Sequence, residues 1–392
     1  MSRASRTVTV AAVALAALAL AIDATSAHAQ RGATADFWRE VTNPGHRRAL
    51  ELVRQAHIKV LLAATELPTS WTTICRALAD DPERQRETLE RAARREASLS
   101  DALVRFEQAR ALEPNDPEIL FEMAVTLSRW ERARELPNCS VDRKDDEAAE
   151  LFERIRRIDP GYQADEIAFE LGVIATRRAD FAAAAREYAR AIELSFNERE
   201  TGLIHSNLAE VTMLAGDLPT AVRHYERAVE LARADSSTDG KDYRLALWGL
   251  AVALDRLGEH RGALDRAHDA IQADGGTLEV LRSDGVFFVP DHELHYYEAL
   301  GYEARAAGQT DEAARTADLR SAVRSWELFL SEGGGESRWA DDARAHLRRI
   351  QERANRRPRA RQPRGRPQRQ PRSAGQPAEP SLPVLPPPGG WQ

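Results

Sequence analysis

Small apolar residues recur along the chain at one spacing, with an aromatic residue four positions after the first alanine and a second alanine three positions later. Positions i, i+4 and i+7 share one face of an α-helix, so each copy predicts an amphipathic helix. Small side chains let a neighbouring helix approach closely, and the aromatic ring fills the space between helix pairs. The clear copies are Ala102, Phe106 and Ala109; Ala184, Tyr188 and Ala191; and Ala221, Tyr225 and Ala228.

A second helical pattern precedes each of these helices, and a short turn separates the two. Three of the turns carry glycine, at Gly216, Gly258 and Gly308. Glycine readily adopts the left-handed conformation that ends a helix. The pattern therefore predicts helix–turn–helix units arranged in tandem, each packing on the next.

The units resemble the tetratricopeptide repeat, a helix–turn–helix motif of about 34 residues. The proline that follows the second helix in that family is matched at Pro114 and Pro160, whereas the tryptophan of the first helix is missing from every copy. The resemblance implies an all-α fold, an α-α superhelical solenoid of tetratricopeptide-like helix pairs with a disordered C-terminal tail. Repeats are expected to begin near residues 83, 117, 165, 202, 244 and 294.

The repeat array is expected over residues 83–330, between an N-terminal helical cap at 30–82 and a C-terminal capping helix at 331–355. Within the cap, Pro44 and Pro68 open helical patterns at 44–65 and 70–80.

Several irregularities are expected in the array. An insertion at about residues 131–145 interrupts the second repeat, and the loops Ala234–Asp242 and Asp274–Pro290 exceed the usual short turn. The last repeat is lengthened, so Trp326 and Phe329 should provide its packing.

The first 29 residues read as a signal peptide. Two arginines precede the apolar run Val8–Ile22, and Ala27-His28-Ala29 matches the small-x-small rule for cleavage between Ala29 and Gln30. The run is shorter than the roughly 20 residues of a membrane span. We expect a periplasmic or secreted protein with no transmembrane span after cleavage; an uncleaved anchor is the alternative.

The chain contains two cysteines, Cys75 and Cys139. In an oxidising compartment they could form a disulfide. Two separate thiols remain the alternative, because a sequence does not show whether their Cα atoms lie within disulfide reach. No C-x-x-C motif occurs, so a thioredoxin-like role has no support.

Helical periodicity ends before residue 356. The segment 356–392 is rich in arginine and proline and holds eight arginines against one acidic residue, Glu379, although the whole chain has a net charge of −7. Such a composition predicts a disordered tail. The tail could contact an anionic envelope surface, or it could be a solubilising end without a partner. Nucleic acid is not an expected partner of an exported protein.

No motif for catalysis or cofactor binding is present: the chain lacks a P-loop, G-x-G-x-x-G, G-x-S-x-G and H-E-x-x-H. His292 and His295 could share a helix face, but a third metal ligand at suitable spacing is missing. We therefore expect no enzyme activity, no cofactor and no metal.

In tetratricopeptide proteins the first helices line a concave face that holds ligands, and the resemblance carries this role to matching positions here. Phe121, Phe169 and Trp248 occupy the same register in three repeats and are candidate anchors for a peptide. Packing against the neighbouring repeat is the alternative. The full candidate set is Phe121, Ser128, Phe169, Ser206, Glu210, Trp248, Asp255, Glu298, Tyr302 and Arg305.

The expected function is a non-enzymatic protein–protein interaction scaffold of the bacterial cell envelope, binding a peptide or protein segment in this groove. The alternative is an envelope-associated spacer attached to an anionic surface through the basic tail.

Overall fold

The computed structural model describes residues 45–66, 81–134, 140–197, 201–234, 240–283 and 286–355. The predicted signal peptide, the arginine-rich tail, the predicted helix at 70–80 and both cysteines, with their candidate disulfide, lie outside these ranges. None of the helices within the ranges is both long enough and apolar enough to cross a bilayer.

Helices make up almost all of the regular structure in the described part of the chain. They are α1 (His46–Ala64), α2 (Pro82–Leu112), α3 (Pro117–Ser128), α4 (Asp145–Ile158), α5 (Ala164–Arg177), α6 (Phe181–Leu194), α7 (Gly202–Ala215), α8 (Leu218–Ala234), α9 (Lys241–Arg256), α10 (His260–Ala273), α11 (Glu293–Gly308), α12 (Glu312–Ser331) and α13 (Ala340–Asn355). Two strands, β1 (Glu131–Ala133) and β2 (Val141–Arg143), and two short 3₁₀ helices, Glu279–Arg282 and Gly334–Glu336, complete the elements.

Consecutive helices pack in pairs, and each pair contacts the next along the chain. The pairs are α1/α2, α3/α4, α5/α6, α7/α8, α9/α10 and α11/α12. The turn between α7 and α8 has the expected form, because Gly216 ends α7 with a φ of 99°. The prediction of an all-α fold of tandem helix pairs is confirmed.

The first helix pair differs from the expected one. The sequence predicts two helices after residue 83, but Pro82–Leu112 is one continuous helix of 31 residues. This stretch contains no glycine and no proline after its first residue, so nothing in it ends the helix. The apolar face with Phe106 packs instead on Ala49, Val53 and their neighbours in α1. The expected helix pair at 83 was therefore wrong, and α1 supplies the missing partner.

The insertion after α3 forms a short β-hairpin. Strands β1 and β2 pair antiparallel, with Arg132 opposite Asp142. The Arg132 side chain donates to Glu96 of α2 at 2.8 Å, and the buried Trp130 donates from its indole N–H to Ser100 at 2.9 Å. The insertion therefore lies against the preceding helix pair.

Aromatic rings fill the space between helices, as the spacing predicts. Tyr188 and Tyr225 are buried to 1% and 2% exposure. A Cβ atom added at Gly172 would lie 2.6 Å from the Tyr188 ring, and one at Gly249 would lie 2.1 Å from the Tyr225 ring. These distances are too short for any side chain, so the two glycines are what allow the rings to pack.

The last helix pair, α11/α12, packs through aromatic residues. Trp326 and Phe329 of α12 are fully buried, and their ring centroids lie 4.7 and 5.3 Å from that of Tyr296 in α11. The lengthened last repeat therefore packs through the two expected residues.

A pair of glycine substitutions tests the ring packing. Gly249→Ala should lower the free energy of unfolding by about 1–3 kcal/mol, because the added methyl group overpacks Tyr225. Gly262→Ala in α10 is the control: its Cβ would meet Leu254 at 3.7 Å, an ordinary contact. It should raise stability by about 0.5 kcal/mol through helix propensity. Urea unfolding measures the free energy of unfolding of both variants. Equal changes in the two variants would contradict a close fit of Tyr225 against Gly249.

Candidate functional site

A cavity of about 150 Å³ opens between the first helices of two neighbouring pairs, α7 and α9, and the segment that follows α10. Side chains from six helices and from that segment line it. They are Thr176, Tyr188, Leu203, Ser206, Asn207, Glu210, Leu214, Tyr225, Leu245, Trp248, Gly249, Leu281, Val286, Phe287, Phe288, Val289 and Tyr297.

Helix α7 provides one wall. Leu203, Asn207, Glu210 and Leu214 follow one another at intervals of three or four residues, so they lie on one helix face. Ser206 lies beside them on the same wall. Two apolar residues therefore flank a serine, an amide and a carboxyl group, which can hydrogen-bond to a ligand.

The opposite wall is an irregular apolar segment, Val286–Val289. Phe288 is buried and packs edge-on against the ring of Tyr297, with the centroids 5.1 Å apart. Phe287 remains 37% exposed, and the Arg177 guanidinium lies 5.8 Å from its ring centroid. Phe288 thus fixes the segment to α11 while Phe287 stays at the cavity mouth.

Glu210 is the acidic group of the cavity. The hydroxyl groups of Tyr225 and Tyr297 both donate to its Oε2 atom, the second at 2.7 Å. The remaining acceptor capacity of the carboxyl group therefore lies at Oε1. Burial among these rings raises the pKa of Glu210 above its ordinary value, and the two phenol hydrogen bonds only partly offset that rise.

Trp248 also lines the cavity, but it is fully buried. The far edge of its indole abuts α11, where a Cβ atom at Gly301 would lie 2.6 Å away. Its indole N–H has no hydrogen-bond partner among the described residues. The hypothesis of an exposed tryptophan anchor is therefore wrong, and the residue forms a wall of the site.

Phe121 and Phe169 do not serve as exposed anchors either. Phe121 is 7% exposed and packs edge-on against Phe152 and Tyr162, with centroids 6.0 Å apart in each case. Phe169 is half-buried and lies 6.0 Å from Tyr188. The packing alternative holds for Phe121, and Phe169 supports a ring that lines the cavity.

Of the ten candidate residues, Ser206, Glu210 and Trp248 meet in the cavity, and the others lie elsewhere. Buried Ser128 donates to Glu170 at 3.1 Å. Glu298 accepts from Arg282 at 2.8 Å, and Arg305 donates to Asp318 at 2.6 Å while lying 5.1 Å from the Tyr302 ring. Asp255 belongs to a separate polar cluster. Binding at any of these residues stays a prediction.

Sequence reasoning missed several lining residues, above all Phe287 and Phe288 of the loop and Tyr297 of α11. One signal was available, because Val286–Val289 is an apolar run inside a loop longer than a tight turn needs. An apolar run in such a loop indicates that the loop packs back on the fold, because burying apolar side chains is favourable.

Residues 200–274, which contain α7 to α10, match the family model of the tetratricopeptide repeat. No curated protein sequence matches the chain.

Three solved structures illustrate the structural similarity. A MamA structure from Desulfovibrio magneticus RS-1 is 15% identical, with 54% of this chain and 99% of that chain covered and a TM-score of 0.37. YrrB, described as a tetratricopeptide-repeat protein with an unusual peptide-binding site, is 15% identical over 58% and 97% of the two chains, with a TM-score of 0.36. BtubC from P. vanneervenii is 18% identical over 58% and 91%, with a TM-score of 0.40.

Replacing the cavity carboxyl group tests its environment. Because the folded-state pKa of Glu210 is raised, its contribution to stability is complete below the unfolded-state pKa and is lost as pH rises through the folded-state pKa. As the pH rises from 5 to 8, the melting temperature of the wild type should therefore fall by a few degrees relative to that of Glu210→Gln. Glu226→Gln, at an exposed position of α8, is the control. If the melting temperature of Glu210→Gln instead falls relative to that of the wild type as the pH rises, the raised pKa of Glu210 is contradicted.

Proposed function

The chain carries tetratricopeptide repeats, and from that premise we propose that it is a non-enzymatic interaction scaffold that holds a segment of a partner protein across α7 and α9. One apolar side chain of the segment enters the cavity described above. The observation that carries this proposal is a small, mostly apolar cavity with a few hydrogen-bonding groups on one wall.

The size of the cavity favours a single side chain. Its volume is about 150 Å³, and an apolar cavity of about that size accepts benzene. Sites for cofactors and drug-sized molecules are usually about 300–1,000 Å³. A leucine or phenylalanine side chain therefore fits, whereas a nucleotide-sized cofactor does not.

The chemistry of the lining favours binding over catalysis. The lining contains no histidine, cysteine or lysine, and Oε2 of its carboxyl group, Glu210, already accepts from Tyr225 and Tyr297. Ser206 and Asn207 can instead hydrogen-bond to the backbone of a bound segment.

The cavity mouth presents apolar surface to a partner. Leu203 and Phe287 line the cavity and remain 40% and 37% exposed. Binding is favoured when a partner covers such an exposed apolar side chain, because apolar surface is removed from water. A segment seated in the cavity would cover both residues.

We place the protein in the periplasm or outside the cell, because residues 1–29 have the pattern of a cleaved signal peptide. Sequencing the N-terminus of the mature protein should find Gln30 first. A protein that still begins at Met1 would contradict this location.

Selection of random peptides displayed on phage tests the cavity. Enriched peptides should share one leucine or aromatic residue, and synthetic versions should lose at least about 30-fold in affinity for Ser206→Leu, because the new side chain fills the cavity.

Glu226→Leu is the matched control, since it places the same side chain on an exposed face of α8 outside the cavity lining. It should bind the peptides like the wild type. Equal binding to the wild type and Ser206→Leu, or no enrichment of peptides at all, would overturn the proposal. Trp248→Ala is unsuitable as a test, because loss of a buried tryptophan costs about 3–5 kcal/mol of stability.

A further inference from the structure

A second polar cluster lies outside the cavity, where three helices meet. Asp255 is in the last turn of α9, His260 begins α10, and His346 belongs to α13. His260 Nδ1 lies 2.7 Å from Asp255 Oδ1, and His346 Nε2 lies 2.9 Å from Asp255 Oδ2. Two imidazoles and one carboxylate therefore converge although 91 residues separate Asp255 from His346.

The geometry of these groups suits a metal ion. One ligand atom from each residue can be chosen so that all three lie within 4.8 Å of one another. The two imidazole rings are 5.6 Å apart at their centroids and stand at 83°. Zn²⁺ binds histidine nitrogen at about 2.0–2.1 Å in tetrahedral geometry, which puts its donors roughly 3.3 Å apart. A zinc ion at this position would replace the hydrogen bonds that join the two imidazoles to Asp255.

Neighbouring side chains orient the ligands as outer-shell partners do in metal sites. Glu303 Oε1 lies 2.7 Å from His346 Nδ1, which leaves Nε2 as the metal-binding nitrogen. Glu303 also accepts from the indole N–H of Trp326 at 2.7 Å, and the His346 ring stacks on that indole at 4.5 Å. Tyr296 donates to Asp255 at 2.8 Å.

The local charge favours a cation. Two acidic residues lie beside His346, with Glu303 Oε1 2.7 Å from its Nδ1 and Asp255 Oδ2 2.9 Å from its Nε2. The adjacent cation, Arg256, is already paired with Glu293 in the interior.

The cluster is also accessible. Asp255 and His346 are buried, whereas the side chain of His260 is 42% exposed. Asp342 lies one turn before His346, on the same face of α13. An ion can thus enter past His260, and a water molecule or Asp342 can complete its coordination.

We propose that Asp255, His260 and His346 form a binding site for a divalent first-row transition-metal ion, with Zn²⁺ as the ion of choice for a site of two imidazoles and one carboxylate. Because the ligands come from α9, α10 and α13, the bound ion links the C-terminal helix to the α9/α10 pair.

Calorimetric titration of ZnCl₂ into the purified chain, prepared without a polyhistidine tag, tests the site. The wild type should bind one equivalent with a Kd below about 10 μM. Zinc at 100 times Kd should raise the melting temperature by about 4 °C. His260→Ala should weaken zinc binding by at least about 100-fold. Loss of an outer-shell partner costs up to about 100-fold in metal affinity, and loss of a direct ligand should cost at least as much.

His268→Ala is the matched control, because His268 is an exposed histidine of the same helix. It should bind zinc like the wild type, and circular dichroism should show that both variants stay folded. Absence of stoichiometric binding to the wild type, or equal affinity in His260→Ala, would overturn the proposal.

Discussion

The close fit of an aromatic ring against a glycine on a neighbouring helix is the constraint on which the rest of this structure depends. Tyr188 packs over Gly172, Tyr225 over Gly249 and Trp248 over Gly301. Each ring needs the absence of a side chain opposite it, so each fit sets the distance between two helices. The functional groups follow from these fits, because the same packing that buries Tyr225 brings its hydroxyl to Glu210.

Much of the fold could be predicted from the sequence because its main determinant is local. Alanines and an aromatic at i, i+4 and i+7 specify a helix face, and Gly216 specifies where a helix ends. The first helix pair shows what local patterns do not predict, which is the identity of the packing partner. The face containing Phe106 indicates that a partner helix exists, but not that the partner is α1, which precedes α2 across residues 65–81.

The site was less predictable because it depends on contacts between repeats. Ser206, Glu210 and Trp248 are three of the ten positions that the register of the first helices assigns to the concave face, and they line the cavity together. That register could not show the burial of Trp248, which is possible only because Gly301 of another pair leaves room for the indole. Phe287 reaches the cavity from a loop without periodicity, and no sequence motif links Asp255 to His346.

Site-specific photo-crosslinking in cells that produce the protein tests most directly whether the cavity is where a partner binds. A benzophenone amino acid placed at Leu203, on the exposed rim of the cavity, should give a discrete adduct with one partner. The same probe at Glu226, exposed on α8 and outside the lining, should give none. Adducts of equal yield at both positions, or at Glu226 alone, would contradict the assignment of the cavity as the binding site.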